Sequence, residues 1–263
     1  MNSFFIGADP EVFVGQNGRV KSIVGLIGGT KANPRPLPLG DGFAVQEDNV
    51  ALEFNIPASP TKELFVSNIA TATEFLESAI KDMHGLQFVK DSAVSFPSEE
   101  LQSAEALVFG CDPDYNAWTG RKNRPPHATD PNLRSCGGHV HIGIKGTKYD
   151  GLNIRSIIKF CDLYMGIPSI YMDKGQLRKQ LYGKAGAFRP KSYGGEYRSL
   201  SNYWIFDKRL TEWVYENTER ALDAVLHEMS LDEDAKLIQT AINANVPDIA
   251  DHLIKKYELA VLQ

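Results

Sequence analysis

The order of apolar and polar positions divides the chain into a strand-rich first part and a helical end. "FFIGADPEVFVGQNGRV" reads as a strand, a turn at Gln16-Asn17-Gly18 and a second strand, because Asn-Gly between apolar runs is a hairpin signal. "GLIGGTKANPRPLPLGDGFA" is rich in Gly and Pro and reads as a loop. "VALEFNIP" alternates and reads as a strand stopped by Pro57. "SPTKELFVSNIATATEFLESAIKDM" carries apolar residues at helical spacing, with Ser59 as a cap and Pro60 at the first helical position. One or two short strands are expected over 87–109. Residues 110–133, with four prolines, read as a long loop, and such loops in compact domains are usually functional or disordered. "RSCGGHVHIGI" then reads as a strand. "NIRSIIKFCDLYMGIPSIYM" reads as a second helix, broken near Gly166 and Pro168. Residues 175–193 read as a basic, Gly-containing loop, and "GEYRSLSNYWI" as a strand. From Asp207 onward the pattern is helical, ending in two shorter helices split by "NANVP". Early strands joined by single helices and followed by a helical end predict an α+β fold with an antiparallel sheet.

Composition narrows the class without naming a function. Of 263 residues, 43% are hydrophobic and 23% charged, the balance of an ordinary globular protein. The net charge of −5 suggests neither a nucleic-acid nor a membrane-surface binder. Cys111, Cys136 and Cys161 show no CxxC spacing, so free thiols in a reducing compartment are expected. The start, "MNSFFIGADPEVFV", lacks a basic n-region, and Asp9 and Pro10 cut its apolar run, so it is not read as a signal peptide. No segment reaches the roughly 20 apolar residues that cross a bilayer, and the expected location is the cytoplasm.

The chemistry lies in pairs of residues two apart on strands, which share one face. Such pairs are Asp9 and Glu11, His139 and His141, and Glu196 and Arg198. Glu53, between Leu52 and Phe54, points one way while its neighbours pack the other. Each pair alone has an ordinary reading: a solvated acidic face, two imidazoles bonded to carbonyls, a surface alternation. Together they would place several negative charges on one face. Like charges at short range repel, so such a face calls for cations. A set dominated by oxygen ligands favours Mg²⁺ or Mn²⁺, with His in the minority. The stretch "LRKQLYGKAGAFRPKSYGGEYR", 177–198, is basic, with Arg178, Lys179, Lys184, Arg189, Lys191 and Arg198 against Glu196 alone. It reads either as a solvated loop or as a phosphate clamp. Its glycines would allow close approach to a ligand. Metals beside basic groups point to phosphoryl transfer from a nucleotide.

The motifs "GADPEVF", "ALEFNIP", "CGGHVHIG" and "GGEYRSL", with "YGKAGAFRP", occur in an order that resembles the glutamine synthetase fold group. That group includes glutamate–cysteine ligases and the phage and bacterial carboxylate–amine ligases called amidoligases. The chain is most similar to the phage type, over about residues 5–205. The resemblance implies one domain over 1–263, with 206–263 its helical part. It also implies a glutamine synthetase-like antiparallel sheet forming a catalytic bowl, with helices on the outer face. The implied reaction is ATP-dependent amide formation through an acyl phosphate. Asp9, Glu11, Glu53, His139 and Glu196 match metal ligands, with Asp9 in place of a glutamate. His141 would face the nucleotide, and Arg198 the transferred phosphoryl group. Arg178, Arg189 and Lys184 would add phosphate contacts. Two departures stand out. Pro10 between the paired acids requires an edge strand or a bulge. The remaining metal acid has no clear match, and Glu47 and Asp48 are both open. Implied substrates are a small-molecule or peptide acid and an amine. Relatives often form rings or dimers, so a homo-oligomer is one implied assembly.

Within 110–133, Asp112, Asp114, Tyr115, Trp118 and Arg121 would shape a substrate pocket or a lid, or the segment is a rigid surface loop. Cys136 has no evident base nearby and reads as a packing residue. Two rival functions are a metal hydrolase using His139 and His141 on zinc, and a non-catalytic binding protein of the same fold.

Overall fold

The computed structural model describes residues 3–107, 114–124, 129–175 and 177–262. Cys111 and Asp112 therefore lie outside the described residues. The strands are β1 Phe5–Gln16, β2 Arg19–Lys21, β3 Arg35–Pro36, β4 Ala44–Asp48, β5 Ala51–Asn55, β6 Gln87–Val89 and β7 Ala93–Ser95. After these come β8 Tyr115–Asn116, β9 Leu133–Ser135, β10 Gly138–Gly143, β11 Ala187–Lys191 and β12 Gly194–Tyr197. The helices are α1 Lys62–His84, α2 Ala104–Leu107, α3 Ile154–Cys161, α4 Ser169–Met172, α5 Arg178–Leu181, α6 Lys208–Leu226, α7 Ala235–Ala244 and α8 Pro247–Tyr257. One antiparallel sheet runs β3-β4-β5-β1-β10-β12-β11-β8, with β2 and β6 paired to the far half of β1. Strands β7 and β9 pair separately.

The period of two sorts the sheet into an apolar and a polar face. Ile6, Ala8, Val12 and Val14 of β1 belong to the main core with Leu52 and Phe54, Val140 and Ile142, and Phe188 and Tyr197. Phe65, Ile69 and Leu76 of α1, Ile157 and Phe160 of α3, and Val214 and Leu222 of α6 complete that core. The helices thus cover one face of the sheet. A smaller cluster of Phe13, Val50, Phe96, Leu101 and Cys136 sits at one end.

Local chemistry explains the elements, including those that differ from expectation. Asn17 and Gly18 both take positive φ, 52° and 76°, as the tight turn between β1 and β2 requires. Helix α1 starts at Lys62, capped by Thr61, whose hydroxyl accepts from the Leu64 N–H. Ser59 is unavailable as the cap because its backbone bridges Ile6. Pro10 lies in a central strand, where an edge or a bulge was expected. It sits opposite Gly138 of β10, while the β5 ladder forms only at Glu11–Glu53 and Val12–Leu52, beside one bond from Ile56 N–H to the Ala8 carbonyl. A missing N–H interrupts one ladder without ending the sheet. Segment 175–193 is less of a loop than its composition implied, because it holds α5 and β11. The second helix breaks where expected, through a π-type turn at Asp162–Gly166.

Ile142 is fully buried in the main core. Ile142→Ala should cost about 2–5 kcal/mol, read as a lower urea midpoint at unchanged m. A change under about 1 kcal/mol would contradict the two-faced sheet.

Candidate active site

Register decides which polar side chains meet. Across the sheet Asp9 lies opposite His139, His141 opposite Glu196, and Glu196 opposite Arg189. Glu11 lies opposite Glu53, and Glu53 opposite Gln46. Directly opposed residues share a face, as do residues two apart. Asp9, Glu11, Glu53, His139, His141, Arg189, Glu196 and Arg198 therefore share the polar face, joined by Asp48 and Lys191. The two glycines before His139 serve this packing. A Cβ on Gly137 would run into the His139 ring, and one on Gly138 into the Ser201 carbonyl and the Trp204 indole. The Gly137 N–H also donates to Glu11 Oε2 at 2.7 Å.

The acids form two groups. Asp9, His141 and Glu196 offer ligand atoms that lie within 4.8 Å of one another, and so do Glu11, Asp48 and Glu53. Of the two histidines, His141 belongs to the first group. Its Nε2 is 3.1 Å from Asp9 Oδ1, and its Nδ1 is 2.5 Å from the Tyr193 hydroxyl. His139 Nδ1 lies 3.3 Å from Asp9 Oδ1 and receives a hydrogen bond of 3.3 Å from Arg198. Asp48 stands with Glu11 and Glu53. Glu47 instead accepts backbone N–H groups of Gly25, Ile27 and Gly28, at 2.9, 3.0 and 2.8 Å, and so orders the Gly-rich loop.

The basic residues divide likewise. Arg198 Nη1 contacts Glu196 Oε1, and its Nε is 3.6 Å from Asp114 Oδ2. Lys191 Nζ is 2.8 Å from Glu196 Oε2, and Arg189 Nη1 is 3.7 Å from Glu196 Oε1. Arg178 is buried and donates to the Ser199 and Arg198 carbonyls, securing the end of β12. Lys184 is not brought to this face, because its Nζ donates to the Asn243 carbonyl in α7. A cleft of about 670 Å³, counting space open to solvent, is lined by Glu11, Asp48, Asp114, His139, Arg178 and Arg198 among others. Asp114, expected to shape a substrate pocket or a lid or to lie in a rigid surface loop, lines this cleft beside Arg198, whereas Tyr193 was not among the expected site residues. Tyr193 carries no spacing signal because it stands in a hairpin turn, and only the fold brings it to His141.

Burial and charge set the protonation states. Burial pushes Glu11 up, with Asp48 adding to it, to about 7. Burial raises Glu53 well above the usual carboxylate range, helped by Asp9, Glu11 and Asp48. Burial would raise Asp9 too, but His141 and His139 outweigh it and hold Asp9 well below its ordinary value. Glu196 is pushed up by burial and by Asp9, yet Arg198 and the imidazoles bring it down to about 2. Burial and the Arg198 charge lower His139 to about 4. His141 moves up, because Asp9 overcomes the effect of burial. Burial also raises the Cys136 thiol well above its usual value, which removes it as a nucleophile and leaves it as packing.

Residues 131–243 match the family model described as Phage phiEco32-like COOH.NH2 ligase-type 2. The match supports a phage-type carboxylate–amine ligase, an enzyme of the ligase class, and this is the family that the motif order resembles. It takes in His139, His141, Glu196 and Arg198, whereas Asp9, Glu11, Asp48 and Glu53 lie before it. Searches of curated proteins and of solved structures returned no match. Among the described residues no helix is long and apolar enough to cross a membrane.

Stability without divalent cations should fall as pH rises from 6.5 to 8. In that window Glu11, Glu53 and His141 bind more protons in the folded than in the unfolded chain, because each is raised on folding. Each such proton contributes a slope of up to about 1.4 kcal/mol per pH unit. Millimolar Mn²⁺ should reverse the fall by replacing those protons. Urea midpoints that stay flat with pH, or that ignore Mn²⁺, would contradict this.

Proposed function

We propose that the chain is an ATP-dependent carboxylate–amine ligase that works through an acyl phosphate, and that the polar face is a glutamine synthetase-like catalytic bowl. The observation that carries this reading is the pair of three-residue ligand groups on one sheet face. Arg198 touches one group and lines the same cleft as the other. The ligase family match supports it independently.

The donor sets suit divalent cations. Five of the six groups are carboxylates and one is an imidazole, the composition that favours Mg²⁺ or Mn²⁺. Asp9 Oδ1 faces His141 Nε2 at 3.1 Å and Glu196 Oε2 faces Lys191 Nζ at 2.8 Å, so these ligand atoms are held together by charge pairing that a bound ion would take over. Asp9, His141 and Glu196 would hold one ion, and Glu11, Asp48 and Glu53 the other. Bound there, the ions would neutralise charge on the nucleotide phosphates and the acid's carboxylate. This exchanges the roles first implied for the histidines, with His141 the ligand and His139 the support for Arg198.

The chain's own groups supply the rest. Arg198, fixed by Glu196, His139 and Asp114, would contact the phosphoryl group in transfer. Arg189 and Lys191 reinforce positive potential beside Glu196. On the far side of His141 lies a second pocket whose lining includes Gly7, Gly143, Phe5, Tyr193 and Lys145. Bare strand backbone between aromatic walls suits a planar base, so the nucleotide would enter there and the acid on the Glu11 side. In the acyl phosphate, the acid's carboxylate oxygen has displaced ADP from the γ-phosphate. Attack by the amine then expels phosphate and leaves the amide. The substrates would be a small-molecule or peptide acid and an amine, met in the cytoplasm.

With ATP, Mg²⁺, a panel of carboxylic acids and hydroxylamine, the protein should form hydroxamate and ADP together. Glu11→Gln and Arg198→Ala should each cut both products at least 100-fold while the far-UV spectrum is kept. Product formed without ATP and stopped by zinc chelation would replace the ligase with the hydrolase reading. Unchanged turnover in either variant would remove the site assignment.

A further inference from the structure

We propose that Asp162, on the helix side of the sheet, is a positioning residue that fixes Glu196, Arg198 and Asp114 relative to one another from behind. The inference rests on the proposed function for what those three groups do, but not for the coupling itself.

Asp162 opens the π-type turn after α3 and is fully buried. Its Oδ2 accepts the Trp118 indole N–H at 2.7 Å. Its Oδ1 accepts the Tyr197 hydroxyl at 3.0 Å and lies 3.3 Å from Ser199 Oγ. The Gly186 N–H also points to this carboxylate. Tyr197 and Ser199 alternate with Glu196 and Arg198, so Asp162 grips the strand end on the face opposite the cleft. Trp118 lies four residues beyond Asp114, whose Oδ2 is 3.6 Å from Arg198 Nε. That segment is also tied to the approach to β11, by Ala117 N–H to the Gly186 carbonyl at 2.8 Å and Asn116 Nδ2 to the Ala185 carbonyl at 3.1 Å. Three chain segments thus meet at one carboxylate, and each either carries a residue of the polar face or leads into a strand that does.

The chemistry of the position is hard to explain by packing alone. Burial pushes Asp162 up to about 7, and the groups that counter it are neutral donors. Desolvating a charge without a cation is costly, and an apolar side chain of similar size would avoid that cost. What a carboxylate adds is several acceptor lone pairs, enough for donors from separate segments at once. Such shared acceptors set relative geometry, which matters where a misplacement of about 1 Å can cost about 100-fold in rate.

Asp162→Asn keeps the shape and exchanges an acceptor oxygen for a donor. In this variant, amide hydrogen exchange should speed up at least tenfold in 114–124, 184–187 and 194–199 together, and stay unchanged in α1 and α6. The kcat for ATP-dependent ADP release should fall at least tenfold, with KM for Mg·ATP within threefold. Trp118→Phe removes one donor only, so exchange should rise in 114–124 alone and kcat fall by a smaller factor. A lower melting temperature with kcat within twofold, or exchange raised evenly along the chain, would overturn the proposal and leave Asp162 a purely structural residue. If the wild type releases no ADP, the proposed function fails and the exchange pattern alone decides the coupling.

Discussion

Five carboxylates on one face of one sheet set the terms for the rest of the molecule. Asp9, Glu11, Asp48, Glu53 and Glu196 come from β1, β4, β5 and β12, and pairing register brings them together. Were all five ionised, their mutual repulsion in a partly desolvated setting would be comparable with the stability of a domain. The protein answers it locally in two ways. Around Asp9 and Glu196, arginine, lysine and imidazole groups keep the acids ionised. Around Glu11 and Glu53, where Asp48 is near and cations are fewer, the acids take up protons instead. A protonated carboxyl can exchange its proton for a metal ion, and a carboxylate beside a protonated histidine can do the same. On the proposed reading, both halves are thus poised to exchange protons for metal ions.

The opposite face has the complementary task. Strand residues that alternate with the acids are almost uniformly apolar and pack under α1, α3 and α6. Their packing holds the register, and a slip of one residue would turn every acid into the core. Asp162 is a fully buried carboxylate on that side, and it sits behind the segment that carries both Glu196 and Arg198. The Glu47 carboxylate plays a quieter part at the other end. It ties down the Gly-rich loop and leaves its neighbour Asp48 to the polar face.

Much of this geometry was legible because strands have a period of two. Once Asp9, Glu11, Glu53, His139 and Glu196 are placed on strands, alternation assigns each a face, and the motif order suggests that the faces coincide. Several features were hidden for physical reasons. Alternation does not reveal register, so the split into two groups, with His141 in one, needed the pairing of Asp9 with His139 and of His141 with Glu196. Lys184 looked equivalent to its basic neighbours, but a turn directs it to Asn243. Pro10 suggested an edge, yet a central strand tolerates it where one ladder is already broken. Asp162 resembled a polar position on a helix, since nothing local shows that its partners lie 37 residues later, at Ser199, and 44 earlier, at Trp118.

The central claim is that these carboxylates hold two divalent cations between strands of one sheet. Anomalous diffraction from crystals grown with Mn²⁺ and a non-hydrolysable ATP analogue tests it most directly. Two peaks are expected, one bounded by Asp9, His141 and Glu196 and the other by Glu11, Asp48 and Glu53. Manganese bound elsewhere, or absent from this face with the nucleotide present, would contradict the account.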